Sequence, residues 1–315
     1  METYEYIPVR GERMFLGLHI PDETHSSRLD WKPGCVVIAS PVHEEKKSAH
    51  RPLVDLARAL EARRLPCVRF DYVGTGDSTG DPSSVTLSGM TDDLRAAVQH
   101  ARDATGVSNV ALVGLRLGAD VAALVAEDDS DVRLLALVAP VGQGRRYVRD
   151  MRMRSRIRGA MTEPVDRSSE HGDVAAAPSP PSHLPREMGA RPEEGPGEGG
   201  ASGRRGEAGR LAVPAMTRTA TVALDYDGHP VSPRMIAELE SHDLLSRTAS
   251  IGASVLCLDV RAKPQPSAPL TALADALRTR AASVDARAVV DEPFWNALGP
   301  VEPWECIGAV TDWLD

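Results

Sequence analysis

The stretch Asn109-Val110-Ala111-Leu112-Val113-Gly114-Leu115-Arg116-Leu117-Gly118-Ala119-Asp120-Val121-Ala122 constrains this chain more than any other. An apolar run ends at Gly114, and an alanine-rich run begins at Ala119. The first has the length and composition of a buried strand, the second those of a helix. The residues between them leave room only for a tight turn. A strand–turn–helix with Gly-x-Ser-x-Gly spacing lifts a nucleophilic serine above the carboxyl end of a parallel sheet. Here Gly114 and Gly118 have that spacing, but the central residue is Arg116. A guanidinium stays protonated and cannot attack a carbonyl.

The flanking sequence alternates between strand and helix patterns. Glu5–Val9 and Arg13–Ile20 read as an antiparallel pair around Arg10-Gly11-Glu12, and Gly34–Ser40 as a strand covered on both faces. Ala49–Arg63 reads as a helix with Leu53, Leu56, Ala57 and Leu60 on one stripe. Pro66–Asp71 is the next strand, the loop through Gly74, Gly76 and Gly80 follows, and Thr86–Ala104 is helical. Asn109–Val113, Ala119–Glu127 and Arg133–Ala139 continue as strand, helix and strand. This alternation predicts a parallel sheet with right-handed crossovers.

Composition then changes. Residues 159–214 hold ten Gly and eight Pro among 56 positions, and no Phe, Trp or Tyr occurs between Tyr147 and Tyr226. A segment with so little apolar surface cannot offset the entropy of ordering it, so 159–218 reads as a flexible insertion. Beyond it, Thr221–Asp225, Ala253–Asp259 and Ala286–Val290 read as strands. Ser232–Leu245, Leu270–Ala282 and Pro303–Leu314 read as helices. Those strands are too few for a second sheet. Residues 1–158 and 219–315 are therefore expected to be two parts of one α/β domain around the insertion.

Composition also excludes some roles. A net charge of −9 argues against general nucleic-acid binding. The start METYEYIPVRGERMF carries no apolar run typical of a secretory leader, and no stretch approaches the roughly 18 apolar residues of a membrane span. A cytoplasmic location is the expectation. Cys35, Cys67, Cys257 and Cys306 are widely spaced and form no Cys-x-x-Cys pair. They read as buried free thiols, with no metal and no cofactor expected.

The order of elements resembles the α/β-hydrolase superfamily. Phe70-Asp71-Tyr72-Val73-Gly74-Thr75-Gly76-Asp77-Ser78-Thr79-Gly80 is similar to its Phe-Asp-x-x-Gly-x-Gly-x-Ser-x-Gly loop. Pro41-Val42-His43-Glu44-Glu45-Lys46 falls in the loop where that fold places one oxyanion-hole donor. A narrower resemblance rests on Glu44-Glu45-Lys46, Gly114–Ala119, Gly228-x-x-Val-Ser-Pro233 and Pro293-Phe294-Trp295. These are similar to the second hydrolase type associated with exosortase and exopolysaccharide loci, a serine aminopeptidase-like group. The resemblance implies a hydrolase or acyl-transfer enzyme acting on an ester, thioester or peptide-like substrate. It covers nearly all of the sequence outside 159–214.

The residues leave the chemistry open. Acyl transfer needs a nucleophile, a base and a group that orients the base. Arg116 fills the nucleophile position, and Val289–Trp295, after the last strand, offers no histidine for the base; the final histidine is His242. Asp259 is the candidate acid. Ser78 and His43 are the candidate substitutes, with Ser78 equally readable as a turn residue. The alternative is a catalytically silent relative that binds an anionic small molecule or a protein partner. The candidate binding residues are Arg116, Leu117, Val42, His43 and Trp295. Arg116 reads either as an anion clamp or as one half of an internal ion pair with Asp71, Asp77 or Asp259. Gly144–Gly159 adds a helix face of Arg145, Arg149, Arg152 and Arg156. Oligomeric state is not legible.

Overall fold

The structure, a computed structural model, describes residues 2–21, 34–162, 224–297 and 299–315. Apart from the end of one helix, the insertion read at 159–218 lies outside the described residues. The described residues fall in a single compact unit formed by Met1–Met161 and Ala220–Asp315.

Ten strands are present among the described residues: β1 (Glu2–Val9), β2 (Glu12–His19), β3 (Cys35–Ala39), β4 (Cys67–Phe70), β5 (Val110–Leu115), β6 (Val132–Val138), β7 (Leu224–Tyr226), β8 (His229–Val231), β9 (Ile251–Val260) and β10 (Ala281–Val289). The helices are α1 (His43–Ala62), α2 (Leu87–Thr105), α3 (Leu117–Asp128), α4 (Gly144–Thr162), α5 (Pro233–Ser241), α6 (Ala268–Arg278) and α7 (Trp304–Leu314). Eight strands form one sheet in the order β1-β2-β4-β3-β5-β6-β9-β10, while β7 and β8 form a separate hairpin. β1, β2 and β4 pair antiparallel, and every pairing from β4 to β10 is parallel. This is the mostly parallel sheet that the strand–helix alternation predicts.

The strands explain where the core lies. All six residues of β5 are buried. Val110 and Leu112 face one core with α2, α3 and α6, whereas Ala111, Val113 and Leu115 face a second core with α1 and α7. Alternation of side chains along a strand covered on both sides produces this division. At about 1.5–3 kcal/mol for each fully buried Val or Leu side chain, such central strands supply much of the driving force for folding. Sequence signals set the helix ends: Thr86 caps α2 by accepting from Gly89 N–H, and Ser232 and Ser267 cap α5 and α6 in the same way.

Several boundaries differ from the sequence reading, among them β1, which begins at Glu2 and not Glu5, and three helix ends. α1 begins at His43, six residues before Ala49, because Glu44 and Glu45 occupy its first turn and favour the helix dipole. α6 ends at Arg278, and Ala281-Ala282 open β10. Alanine suits either state, and pairing with β9 decides between them. α5 ends at Ser241, and Asp243–Ser246 turn away from it. Of the strand read at Thr221–Asp225, Leu224 and Asp225 lie in β7 and the rest lies outside the described residues.

Candidate functional site

The carboxyl edge of the central strands holds an unusual concentration of backbone strain. His43, Arg116 and Ala139, just beyond β3, β5 and β6, have φ of 58°, 57° and 44°. Non-glycine residues enter this region only where surrounding structure enforces it, and such sites cluster where function is or was located. β3, β5 and β6 are neighbours in the sheet, so the three residues share one edge.

The turn at Arg116 is enforced by close packing. A Cβ at Gly114 would stand 2.3 Å from Ala119 Cα, and one at Gly118 would stand 2.3 Å from Ala39 O. The chain can reverse this sharply, and α3 can pack this close to β3, only with glycine at both positions. Arg116 N–H still donates to Val138 O at 3.0 Å, which anchors the turn to β6.

All three nitrogens of the Arg116 side chain donate a hydrogen bond. Its Nε and Nη2 donate to Glu45 Oε1 at 3.1 and 2.9 Å, and Nη1 donates to Ala139 O at 3.1 Å. Glu45, in the first turn of α1, is 1% exposed, and Arg116 19%. Tyr147 of α4 donates its hydroxyl to Glu45 Oε2 at 3.3 Å. The guanidinium carbon lies 5.3 Å from the Trp295 ring centre and 5.9 Å from that of Tyr147. Burial works against the Arg116 charge, and attraction to Glu45 outweighs it, so its pKa moves up. Burial, followed by the nearby Glu45 carboxylate, pushes the Tyr147 phenol up as well.

A second buried pair lies one helical turn along α3. Asp120 accepts Val141 N–H and Gly142 N–H, both at 2.8 Å, and its Oδ1 stands 2.8 Å from His242 Nε2. The carboxylate thus fastens the loop after β6 to the end of α5.

The other sequence candidates lie elsewhere. Ser78 Oγ accepts Phe15 N–H at 2.9 Å and donates to Asp71 O at 2.5 Å, so it ties the glycine loop to β2. Asp71 pairs with Lys46 and accepts Asp77 N–H. Asp259 accepts Ser267 N–H at 2.6 Å. His43 packs against Tyr226 and His229, with ring centres 5.9 and 5.7 Å away, and its Nε2 is buried without a hydrogen-bond partner. Burial, with His229 adding to it, pushes the His43 imidazole down to about 4. Val42 and Leu117 are fully buried, and Trp295 is 6% exposed. The Arg116 partner is therefore Glu45, and none of Asp71, Asp77 or Asp259. All four cysteines are free and buried. Among the described residues no group of three or more His, Cys, Asp or Glu could hold a metal ion, and no helix is long and apolar enough to cross a membrane.

Residues 35–184 match the family model described as serine aminopeptidase, S33. Est1E from Butyrivibrio proteoclasticus is 13% identical, with 99% of this chain and 95% of that one covered at a TM-score of 0.55. A proline iminopeptidase from Mycobacterium smegmatis is 14% identical, covering 99% and 97%, with a TM-score of 0.55. The enol-lactonase of Burkholderia xenovorans LB400 is 15% identical, covering 98% of each chain, with a TM-score of 0.53. This chain has the α/β-hydrolase fold. A comparison with curated proteins gives no match.

Arg116 is the central residue of the tight Gly114–Gly118 turn that joins β5 to α3. The segment after β10 carries Phe294 and Trp295 and no histidine, and Asp259, near the end of β9, accepts the Ser267 backbone N–H. Sequence reasoning missed Glu45, Asp120, Tyr147 and His242 as partners at this edge. A signal existed for Asp120, the only charged residue between Arg116 and Glu127 in an otherwise apolar stretch. A lone carboxylate on a buried helix requires a partner. Glu45 gave a weaker signal, because it was read as part of a loop and not as the buried face of a helix.

Proposed function

We propose that this protein binds a small molecule on an α/β-hydrolase fold whose elbow serves as a structural ion pair and not as a nucleophile. One observation carries the reading: the Arg116 guanidinium is taken up by Glu45 Oε1 and Ala139 O, with Trp295 and Tyr147 over it. A nucleophile must be free to approach a reacting carbon, and a base must lie within hydrogen-bond reach of it. Arg116 offers neither a lone pair nor freedom of movement, and Ser78 spends its hydroxyl on the glycine loop. The anionic character of the ligand and the likeness to the exosortase-associated hydrolase type belong to the same reading. The motifs from Gly114 to Ala119 and at Pro293-Phe294-Trp295 support that likeness. The reading also takes the 159–218 stretch, where that likeness stops, as an insertion into one α/β domain.

A second reading is hydrolysis or acyl transfer through an unconventional site. Its support is the serine aminopeptidase model match and the fold shared with Est1E, a proline iminopeptidase and an enol-lactonase. A serine-directed fluorophosphonate probe and a panel of activated esters and thioesters separate the two. The binding reading expects no labelled serine and no turnover above buffer. Stoichiometric labelling of Ser78, or turnover abolished by Ser78→Ala, would overturn it.

A further inference from the structure

A basic surface lies away from the elbow, at the start of α4. Arg145, Arg146 and Arg149 line a cleft of about 700 Å³ between α4 and the end of α5. That volume is within the range of sites that hold small organic ligands, roughly 300–1,000 Å³. An adjoining cavity of about 210 Å³ shares Gln143 and Arg146 with the cleft. Its walls include Val141, Leu245, Pro269, Leu270 and Leu273. Arg146 therefore stands between a wide polar cleft and a narrower, largely apolar one.

The charges sort the same way. Glu240 is occupied: its carboxylate pairs with Arg152 at 3.1 Å and its carbonyl accepts Arg145 Nε at 2.9 Å. Asp243 accepts Leu245 N–H, and Asp259 accepts Ser267 N–H. The carboxylates lining the two cavities thus each bond within the protein, whereas Arg146 has no ion pair among the described residues and Arg149 only the 3.8 Å contact to Asp150. The floor is firm, because Gly144 N–H donates to His242 O, Leu244 N–H donates to Gly142 O, and Asp120 holds the Val141 and Gly142 amides. A rigid floor lowers the ordering cost of binding.

We propose that these adjoining cavities bind an amphipathic anion, with a phosphate or carboxylate head at Arg146 and Arg149 and a short apolar tail along Val141, Leu245 and Leu270. Arginine suits such a head because its planar donors match two oxygens at once. Burying the tail removes apolar surface from water, so the tail as well as the head must contribute to affinity. This names a ligand class for the binding reading above and rests on it.

Calorimetric titration of the full chain with hexyl phosphate, inorganic phosphate and hexanol tests the proposal. Hexyl phosphate is expected to bind at least tenfold more tightly than inorganic phosphate or hexanol. Arg146→Gln should weaken hexyl phosphate at least fivefold. Ala272→Trp, at an exposed position lining the apolar cavity, should weaken hexyl phosphate and leave inorganic phosphate unchanged. Absence of hexyl phosphate binding at millimolar concentration would overturn the proposal, as would affinity equal to that of inorganic phosphate or indifference to Arg146→Gln. Circular dichroism of both variants separates loss of the site from loss of the fold. Probe labelling at Ser78 would contradict the elbow reading without altering these titrations, so the two failures are distinguishable.

Discussion

Arginine appears in two settings in this molecule, and the contrast shows what a guanidinium is doing in each. At the elbow, Arg116 is 19% exposed and donates to one carboxylate oxygen and one carbonyl between two aromatic rings. On α4, Arg149 is 71% exposed and reaches only Asp150 at 3.8 Å. A buried charge whose donors are matched by acceptors belongs to the architecture, and removing either partner is expensive. An exposed charge with little engagement contributes almost nothing to stability and remains available to a ligand. Residue type alone does not separate the two cases; burial and satisfaction do.

That contrast is most exposed to failure at Glu45. Glu45→Ala leaves the Arg116 guanidinium confined beneath Trp295 without its counter-ion. We expect a loss of about 3–4 kcal/mol in denaturant unfolding, in line with breaking other buried pairs. A loss below about 1 kcal/mol would place the elbow arginine with the surface ones. Next in size is the pH dependence from His43, also at the strained edge. Its imidazole stays neutral in the folded protein down to about 4, whereas an unfolded histidine titrates near 6.5. Between those values the unfolded chain binds more protons, so this contribution is fully present above about pH 6.5 and is lost as pH falls toward 4. The residue is half-buried as a whole although its Nε2 is sealed, so the expected loss is about 1–3 kcal/mol. His43→Phe should flatten stability across that window, measured by thermal melts at pH 4.5, 5.5 and 7. At the small end, Arg152→Ala removes an exposed pair with Glu240 and should change stability by less than about 0.5 kcal/mol.

The fold was legible because its signals are local and redundant. The apolar run into Gly114, the alanine-rich run after Gly118 and the alternation on either side each require the same layered sheet, and β3, β5 and β6 followed. Boundaries slipped where residues suit two states, as at Ala281-Ala282, or where charge masked a buried helix turn, as at Glu44-Glu45. The elbow was legible as geometry, since only glycine fits at Gly114 and Gly118. Its chemistry was not. The partner of Arg116 lies 71 residues away on α1, and nothing in the local sequence distinguishes Glu45 from the exposed carboxylates of other helix starts. The Asp120–His242 pair spans 122 residues; the lone charge on an apolar helix called for a partner, but nothing local pointed to His242. Long-range polar pairing is set by the packing of whole elements, which periodicity does not encode.

The central claim is that Arg116 at the elbow is one half of a structural pair, and a double-mutant cycle measures that directly. Unfolding free energies of wild type, Glu45→Gln, Arg116→Met and the double variant give the coupling between the two side chains. The account predicts a coupling of about 2 kcal/mol or more, with the double variant more stable than the sum of the single losses implies. A coupling below about 0.5 kcal/mol, with the two losses simply adding, would contradict it and return Arg116 to the role of a free group facing a ligand.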